Sequence, residues 1–384
     1  MRWLKATSGL VGLLLAGVAV TPAHAQTIRE RQWHLNAMKA DDIWKTSTGK
    51  GMTVAVIDSG VEEIPELEGQ VLSGKDFAAG EKGYKGDERN DYEGHGTAMA
   101  ALIVGSGKHP SGDGAFGLAP GAKILPVRVP HEFNDTRPSW TAAIRYAAES
   151  EAKIINISLA TGKDDPERAG AVKYALSKGK LIFAGVGNDG DTTNSTLYPA
   201  ATPGVVGVGA VGLEGAATRE SQHGAQVDIS APGVDIVTGC GRKTGLCTSH
   251  GTSDATALAS ASAALLWAVH PDWTNNQVLR VLLDTAGKPV DGVRRNDYVG
   301  YGVVRPRVAV VEERDPGPAD VFPLPELAAG GPSTGRKTPP RPAPQARSGV
   351  REGGGGFPWL GLGLAAGVLI GGAVAAAAAV RRRR

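Results

Sequence analysis

The stretch TVAVIDSGV, residues 53–61, predicts an apolar β-strand that ends in Asp58 and is followed by Ser59 and Gly60. In sheets of parallel strands, ligands bind in the crevice beyond the carboxyl ends of the strands. Asp58 therefore stands where a functional carboxylate is expected, although a single Asp at a strand end can equally cap a turn.

The chain around this strand has the pattern of an α/β domain. Apolar, β-branched runs alternate with helical patterns, which predicts a three-layer, doubly wound, mostly parallel sheet with helices on both faces. The predicted strands are residues 52–57, 124–129, 153–158, 181–185, 205–208 and 227–230. The predicted helices are residues 96–104, 140–152, 166–178, 252–269 and 275–284.

Three further polar residues stand at predicted strand–helix junctions. His95 lies between two glycines in EGHGTAMAALI (93–103), and Ser253 opens the helix in SHGTSDATALASASAALL (249–266). Asn188 follows a strand in FAGVGNDG (183–190). Each has an ordinary structural role when taken alone: a buried histidine, a helix N-cap and a turn residue, respectively.

Together, these residues have the composition of a serine-nucleophile site. A hydroxyl group needs a base to become nucleophilic at neutral pH, and that base needs a carboxylate to fix its tautomer. Ser253, His95 and Asp58 are of the required types. The side-chain amide of Asn188 is a neutral donor that can stabilise a developing oxyanion.

The four segments resemble the active-site signatures of the subtilisin family, in the family's own order and approximate spacing. Weaker matches extend the resemblance over residues 30–310; they are QWHLNAMKADDIW (32–44), GLAPGAKILPVRV (117–129), INISLA (155–160), YPAATPGVVGVGAV (198–211) and VDISAPG (227–233). The resemblance implies a subtilisin-like peptidase domain, residues 26–313, that cleaves polypeptides through an acyl-enzyme.

The resemblance also implies a role for each residue. Asp58 would orient His95, which would act as general base and then general acid for the nucleophile Ser253. Asn188 and the backbone N–H of Ser253 would form the oxyanion hole. The residues that pair with the substrate backbone as an added strand would be Ser158, Leu159 and Ala160. The bond between Tyr198 and Pro199 is expected to be cis.

Two positions depart from the family pattern. Asp254 stands where an apolar residue is usual, and Ala257 where a proline is usual. An acid in the first turn of a helix is favourable, and here it is expected to raise the basicity of His95 or to bias substrate choice. The short segment before Trp33 leaves no room for a folding pro-domain, so we expect unaided folding.

The two ends of the chain predict export and anchoring. Arg2 and Lys5, an apolar run over 10–20 and the small residues around His24 predict a signal peptide, residues 1–25. The alternative, a buried or membrane helix, requires a longer run for a span. Residues 314–356 predict a Pro/Gly-rich disordered linker, and the uncharged residues 357–380 a transmembrane helix contacting membrane lipid.

The four arginines at 381–384 predict a cytoplasmic tail and therefore an extracellular peptidase domain on a single-pass cell-membrane protein. The chain between the signal peptide and this tail carries a net charge of −4. Binding to nucleic acid requires a basic protein surface, so this net negative charge does not support a function in nucleic-acid binding.

Cys240 and Cys247 form a close pair, for which a loop disulfide is expected in an oxidising compartment. The alternative is two free thiols. No Cys/His cluster predicts a metal site. The loop GDERNDYEG (86–94) is acidic enough to suggest a calcium site, but it lacks the spacing of a calcium-binding loop. A solvated acidic loop is therefore favoured, and no cofactor is expected to be required.

The order of signal peptide, peptidase domain, linker, span and basic tail resembles that of the mycosins. That resemblance implies a type VII secretion membrane complex and exported proteins as partners. The favoured hypothesis is a processing endopeptidase. The alternatives are a structural stabiliser of the secretion complex and a generalist surface protease; the acidic ectodomain and missing pro-domain make the latter less attractive.

Overall fold

The computed structural model describes residues 26–130, 139–241 and 245–324, which fold around a parallel sheet. The strands are β1 (Thr53–Asp58), β2 (Lys75–Asp76), β3 (Lys123–Arg128), β4 (Ile154–Ile157), β5 (Leu181–Gly185), β6 (Val205–Val211), β7 (Ile229–Pro232), β8 (Ile236–Gly239) and β9 (Leu246–Ser249). The helices are α1 (Ile28–Arg31), α2 (Trp33–Ala37), α3 (Ala40–Ile43), α4 (His95–Val104), α5 (Ser139–Glu149), α6 (Pro166–Ser177), α7 (Thr252–Val269), α8 (Asn275–Thr285) and α9 (Pro306–Val311).

The central sheet has seven strands in the order β2-β3-β1-β4-β5-β6-β7, and every neighbouring pair is parallel. The chain builds outward from β1 on one side through β3 and on the other through β4. The strand order therefore reverses beside β1. A reversal of this kind opens a crevice at the carboxyl ends of the strands, and β1 ends there in Asp58.

Helices cover both faces of the sheet, as predicted. One face packs against α4, α7, α8 and α9 in a large apolar cluster, and the other packs against α5 and α6 in a second cluster. β1, β4, β5, β6 and β7 are buried along their whole length. Burial on both faces explains why these strands appear in the sequence as continuous apolar runs.

Helix α7 is the central helix of the fold. It runs without interruption from Thr252 to Val269, and Ala257, at the position where the family usually has proline, is fully buried within it. Most of its side chains are Ala or Ser, which lets it pack closely against five strands of the sheet. Its first turn meets the carboxyl ends of those strands.

Several short elements were not predicted from the sequence. These are α1, α2, α3, α9, the two-residue strand β2 and the antiparallel hairpin of β8 and β9. They are too short to show a periodic pattern, and β9 is only partly buried. The last strand of the sheet also lies two residues later than predicted, at Ile229–Pro232.

Residues 314–324 correct the predicted start of the linker. Arg280 on α8 donates to the carbonyl of Pro318 at 3.0 Å, and Gln277 donates to that of Gly317 at 3.0 Å. Leu324 is buried in the larger apolar cluster. This Pro/Gly-rich segment has little to bury, but the α8 side chains satisfy its carbonyls, so it belongs to the folded unit.

The described residues lie in one unit of the chain, Met1–Pro332. The predicted signal peptide (1–25), the rest of the predicted linker, the predicted transmembrane helix (357–380) and the tail (381–384) lie outside the described residues. Within the part of the chain that is described, none of the helices combines the length and the apolar character that a membrane span requires.

Arg128, at the end of β3, is fully buried and holds the segment that leads to α4. Its guanidinium group donates to the carbonyls of Lys85 at 2.8 Å and Asp87 at 3.0 Å, and pairs with Asp76 at 3.3 Å. Its guanidinium carbon also lies 5.5 Å from the centre of the Tyr92 ring. One buried cation therefore fixes several points of a loop with little apolar surface.

We expect Arg128→Met to destabilise the fold by about 3 kcal/mol, because it leaves the Asp76 carboxylate without its buried partner. Urea denaturation followed by circular dichroism measures the change. The control is Arg145→Met on the exposed side of α5, expected to cost about 0.5 kcal/mol or less. Equal losses for both variants would contradict a structural role for Arg128.

Candidate active site

The structure brings Asp58 and His95 together. Oδ1 of Asp58 lies 2.8 Å from Nδ1 of His95, and the Asp58 side chain is fully buried whereas the imidazole is 32% exposed. Oδ1 also accepts a hydrogen bond from the backbone N–H of Ser59 at 2.8 Å. The carboxylate is thus held from two sides, and it orients the imidazole at the mouth of the crevice.

The start of α4 lies unusually close to the end of β1. A Cβ atom at Gly96 would lie 2.2 Å from the carbonyl oxygen of Gly60 and 3.0 Å from Cβ of Asp58. Any larger residue at this position would push the helix away from the strand. The glycine after His95 is therefore required for the contact between His95 and Asp58.

Asp91 organises the turn before His95, a role that the sequence did not reveal. It accepts hydrogen bonds from the N–H groups of Gly94 (2.7 Å) and Thr97 (2.8 Å) and from the hydroxyls of Thr97 (2.6 Å) and Ser59 (2.7 Å). Ser59 in turn accepts from the N–H of Gly96 at 3.0 Å. The only signal was an Asp just before a predicted helix start, where Asp often caps.

Ser253 lies in the first turn of α7 and faces β4. Its hydroxyl donates to the carbonyl of Ser158 at 3.1 Å, and the Ser158 hydroxyl donates to the carbonyl of Ser253 at 3.2 Å. Behind them, Asn156 donates to the Ser158 hydroxyl at 3.0 Å and accepts from that of Ser260 at 3.0 Å. This buried polar chain ties α7 to β4 and fixes the position of Ser253.

Asn188 is anchored by its oxygen. Oδ1 accepts hydrogen bonds from the N–H of Thr252 at 2.9 Å and from its hydroxyl at 3.1 Å. Gly251, with φ of 128°, makes this approach possible, because a Cβ atom there would lie 3.0 Å from the Asn188 amide nitrogen. With the oxygen engaged, the NH₂ group is the part of the side chain that can donate into the crevice.

Two cavities meet at these residues. The larger, about 440 Å³, and the smaller, about 270 Å³, share the lining residues Glu93, His95, Asn188 and Ser253. The larger cavity is further lined by Ala98, Met99, Cys240, Cys247, Ser249 and Asp254. The smaller is further lined by Ser158, Leu159, Ala160, Gly185, Gly187 and Leu197.

The charges around His95 favour its protonated form. Burial alone would lower the pKa of His95, but the charge and hydrogen bond of Asp58 outweigh this effect, and the charges of Asp254 and Glu93 add to it. The pKa of His95 therefore lies above its ordinary value. Asp254 is fully buried, and this burial raises its own pKa to about 6.

The structure does not join Cys240 and Cys247 in the predicted disulfide. The two side chains are nevertheless neighbours across the β8–β9 hairpin, and a hydrogen bond to Cys240, together with burial, raises the pKa of Cys247. Both thiols lie in the wall of the larger cavity.

Other predicted features can be placed as well. The Tyr198–Pro199 bond is cis, as expected. In the loop 86–94, the carboxylate of Asp91 is engaged in hydrogen bonds to α4 and Ser59. Within residues 26–130, 139–241 and 245–324, no three His, Cys, Asp or Glu side chains form a group that could hold a metal ion.

Comparison with known proteins identifies the family. The model of the subtilase family matches residues 49–302, which include all four of the residues grouped at the crevice. The chain belongs to the subtilase family. This subtilase is a serine endopeptidase, in agreement with the prediction from its four segments.

Its relatives include an intracellular serine protease and a mycosin. It is 35% identical to the major intracellular serine protease of Bacillus subtilis, over 57% of this chain and 69% of the relative. It is 31% identical to Mycosin-1 of Mycobacterium tuberculosis, over 75% of this chain and 74% of the relative. The subtilase is thus related to the mycosins, as its layout indicated.

Solved structures give the same relationship. A crystal structure of MycP1 from the ESX-1 type VII secretion system matches with a TM-score of 0.64 and 27% identity, covering 78% of this chain and 91% of that one. The MycP3 protease of the ESX-3 type VII system matches with a TM-score of 0.60 and 30% identity, over 73% and 88%.

We expect Asp91→Asn to lower kcat at least tenfold and to cost about 2 kcal/mol of stability, because one acceptor oxygen becomes a donor facing the N–H of Thr97. Peptide hydrolysis and urea denaturation measure the two effects. The matched control is Asp87→Asn in the same loop, an exposed residue whose side chain accepts from the N–H of Arg89. If Asp91→Asn behaved like this control, Asp91 would have no part in placing His95.

Proposed function

We propose that this subtilase cleaves exported polypeptides at the outer face of the cell membrane, with Ser253 as nucleophile. His95 takes the proton of the Ser253 hydroxyl and later delivers it to the leaving amine. Asp58 holds the imidazole in the required tautomer. The amide of Asn188 and the backbone N–H of Ser253 bind the oxyanion of the tetrahedral intermediate.

The observation that carries this proposal is the grouping of four residues from four distant segments at one crevice. The 2.8 Å contact between Asp58 and His95 supplies an oriented base, and Ser253 lines the same two cavities as that base. The Ser253 hydroxyl donates to the carbonyl of Ser158. It therefore has to turn to His95 when substrate binds, as catalytic hydrogen bonds often tighten only in the complex.

Substrate would bind along Ser158, Leu159 and Ala160, which line the smaller cavity. An extended peptide can pair there with backbone groups that follow β4, so that main-chain hydrogen bonds supply much of its affinity. The peptide carbonyl carbon would then lie between Ser253 and Asn188.

Two observations support the outer face of the cell membrane as the place where the protease acts. The MycP1 and MycP3 relatives belong to type VII secretion systems, and the sequence carries a signal peptide pattern and an apolar segment over 357–380. A protease so anchored acts on proteins as they leave the cell. Its partners would be the secretion complex in the membrane and the exported polypeptides.

A fluorophosphonate probe is expected to label the full-length wild type at Ser253 and to leave Ser253→Ala unlabelled. Asn188→Ala should lower kcat by about 10²–10³-fold, the loss that removal of the corresponding side-chain donor causes in subtilisin itself. Mass spectrometry of the labelled peptide and peptide hydrolysis measure the two effects. A folded wild type that the probe does not label would contradict a nucleophilic Ser253.

Secretion by cells separates the processing role from the two alternatives. We expect Ser253→Ala cells to retain uncleaved forms of a few exported proteins, whereas deletion of the whole chain would add losses if the protein also stabilises a complex. Equal effects of the variant and the deletion would argue against a separate structural role. Broad degradation of unfolded casein by the wild type would favour a generalist protease.

The pH dependence follows from the raised pKa of His95. The base must be neutral to accept the Ser253 proton, so kcat/KM should rise with pH, with a midpoint above the ordinary imidazole value of about 6.5. Asp254→Asn should move this midpoint to lower pH, because it removes a buried negative charge that favours the imidazolium. A midpoint at or below 6.5 in the wild type would contradict the electrostatic account.

A further inference from the structure

The two cavities lie on opposite sides of the position that the scissile bond of a substrate would take. Ser253 and Asn188, which line both cavities, must contact the same carbonyl group, so the two halves of the peptide leave this point in different directions. The proposed function places the acyl half along Ser158, Leu159 and Ala160 in the smaller cavity. The larger cavity is then available for the residue that follows the scissile bond.

The wall of the larger cavity suits a long side chain with a charged end. Its volume of about 440 Å³ lies in the usual range of ligand pockets. Ala98 and Met99 supply apolar surface that can cover a chain of methylene groups. Asp254 and the exposed Glu93 supply negative charge.

Asp254 is the most informative of these residues. It is fully buried, and only one of its oxygens is satisfied: Oδ1 accepts from the Ser249 hydroxyl at 2.7 Å. Oδ2 has no hydrogen-bond partner among the described residues. A buried carboxylate with an open acceptor site is costly in the free enzyme, so a donor from a ligand gains more there than on the surface.

We infer that the residue after the scissile bond in substrates of this subtilase is Lys or Arg, and that its cationic side chain enters the larger cavity and is bound through Asp254. This inference rests on the proposed function, since it assigns the leaving-group side of the same site. Lys and Arg offer an apolar stem to Ala98 and Met99 and a donor to Oδ2 of Asp254. A glutamate in the same place would meet like charges.

The test begins with the full-length protein in detergent and a mixed peptide library, with cleavage sites determined by mass spectrometry. Peptides matched except for Lys, Arg, Gln or Glu after the scissile bond are then compared. The comparison is made at about pH 8. Since the pKa of Asp254 is about 6, its carboxyl group is ionised there.

For the wild type, kcat/KM should be at least about tenfold higher for the Lys peptide than for the Gln peptide. This is the ratio expected when the substrate side chain makes a hydrogen bond between charged groups in a site without water. In Asp254→Asn, the ratio should fall to about one. A ratio of two substrates of one enzyme cancels any change in the basicity of His95. Asp189→Asn, which removes an acid lining the smaller cavity, is the matched control and should leave the ratio unchanged.

Each remaining outcome decides the matter. A wild-type ratio near one, or an unchanged ratio in active Asp254→Asn, overturns the inference, and a preference for Lys before the scissile bond overturns the assignment of the cavities. If Asp254→Asn does not fold, Asp254→Leu is used instead, because an apolar residue is usual in the family at this position. This variant should also lose the preference for Lys over Gln. Cleavage without preference leaves the proposed function standing, whereas no labelling of Ser253 and no cleavage overturns both.

Discussion

The contact between Asp58 and His95 is the interaction on which the site depends. It requires the end of β1 and the start of α4 to lie within one hydrogen bond of each other, at 2.8 Å. Gly96 makes the approach possible, and Asp91 and Ser59 hold the turn in place through hydrogen bonds to its backbone. The position of the His95 imidazole is thus set by the packing of a strand against a helix, and only then by the side chains themselves.

The sheet topology explains how residues so far apart in sequence meet. Parallel strands end at the same edge, and the reversal of strand order beside β1 opens a crevice there. Helix α7, buried along nearly its whole length, delivers Ser253 to this edge. The hydrogen bonds of Asn156 to Ser158 and Ser260 oppose sliding of α7 along β4, so that a polar group in the core positions Ser253.

The sequence predicted the features that depend on pattern or on residue type. Long apolar strands and the helix from Thr252 to Val269 follow from periodicity. The grouping of Asp58, His95 and Ser253 was expected from their residue types together with the resemblance to the subtilisin family. Asp91 and Asn156 could not be predicted, because their importance lies in hydrogen bonds to segments far away. The start of the linker was wrong for the same reason: its carbonyls are satisfied by Arg280 and Gln277 on α8.

Asp254 breaks the rule that a central buried helix carries small or apolar residues. A carboxylate at this position costs stability, because Ser249 satisfies only one of its oxygens. Local violations of this kind concentrate at functional sites, where the cost is offset by what the group does. Here the charge of Asp254 has two effects. It favours the imidazolium form of His95, and it places negative charge in the wall of the cavity next to Ser253. In the proposed mechanism, the basicity of His95 and the choice of the leaving group are therefore linked through one buried carboxylate.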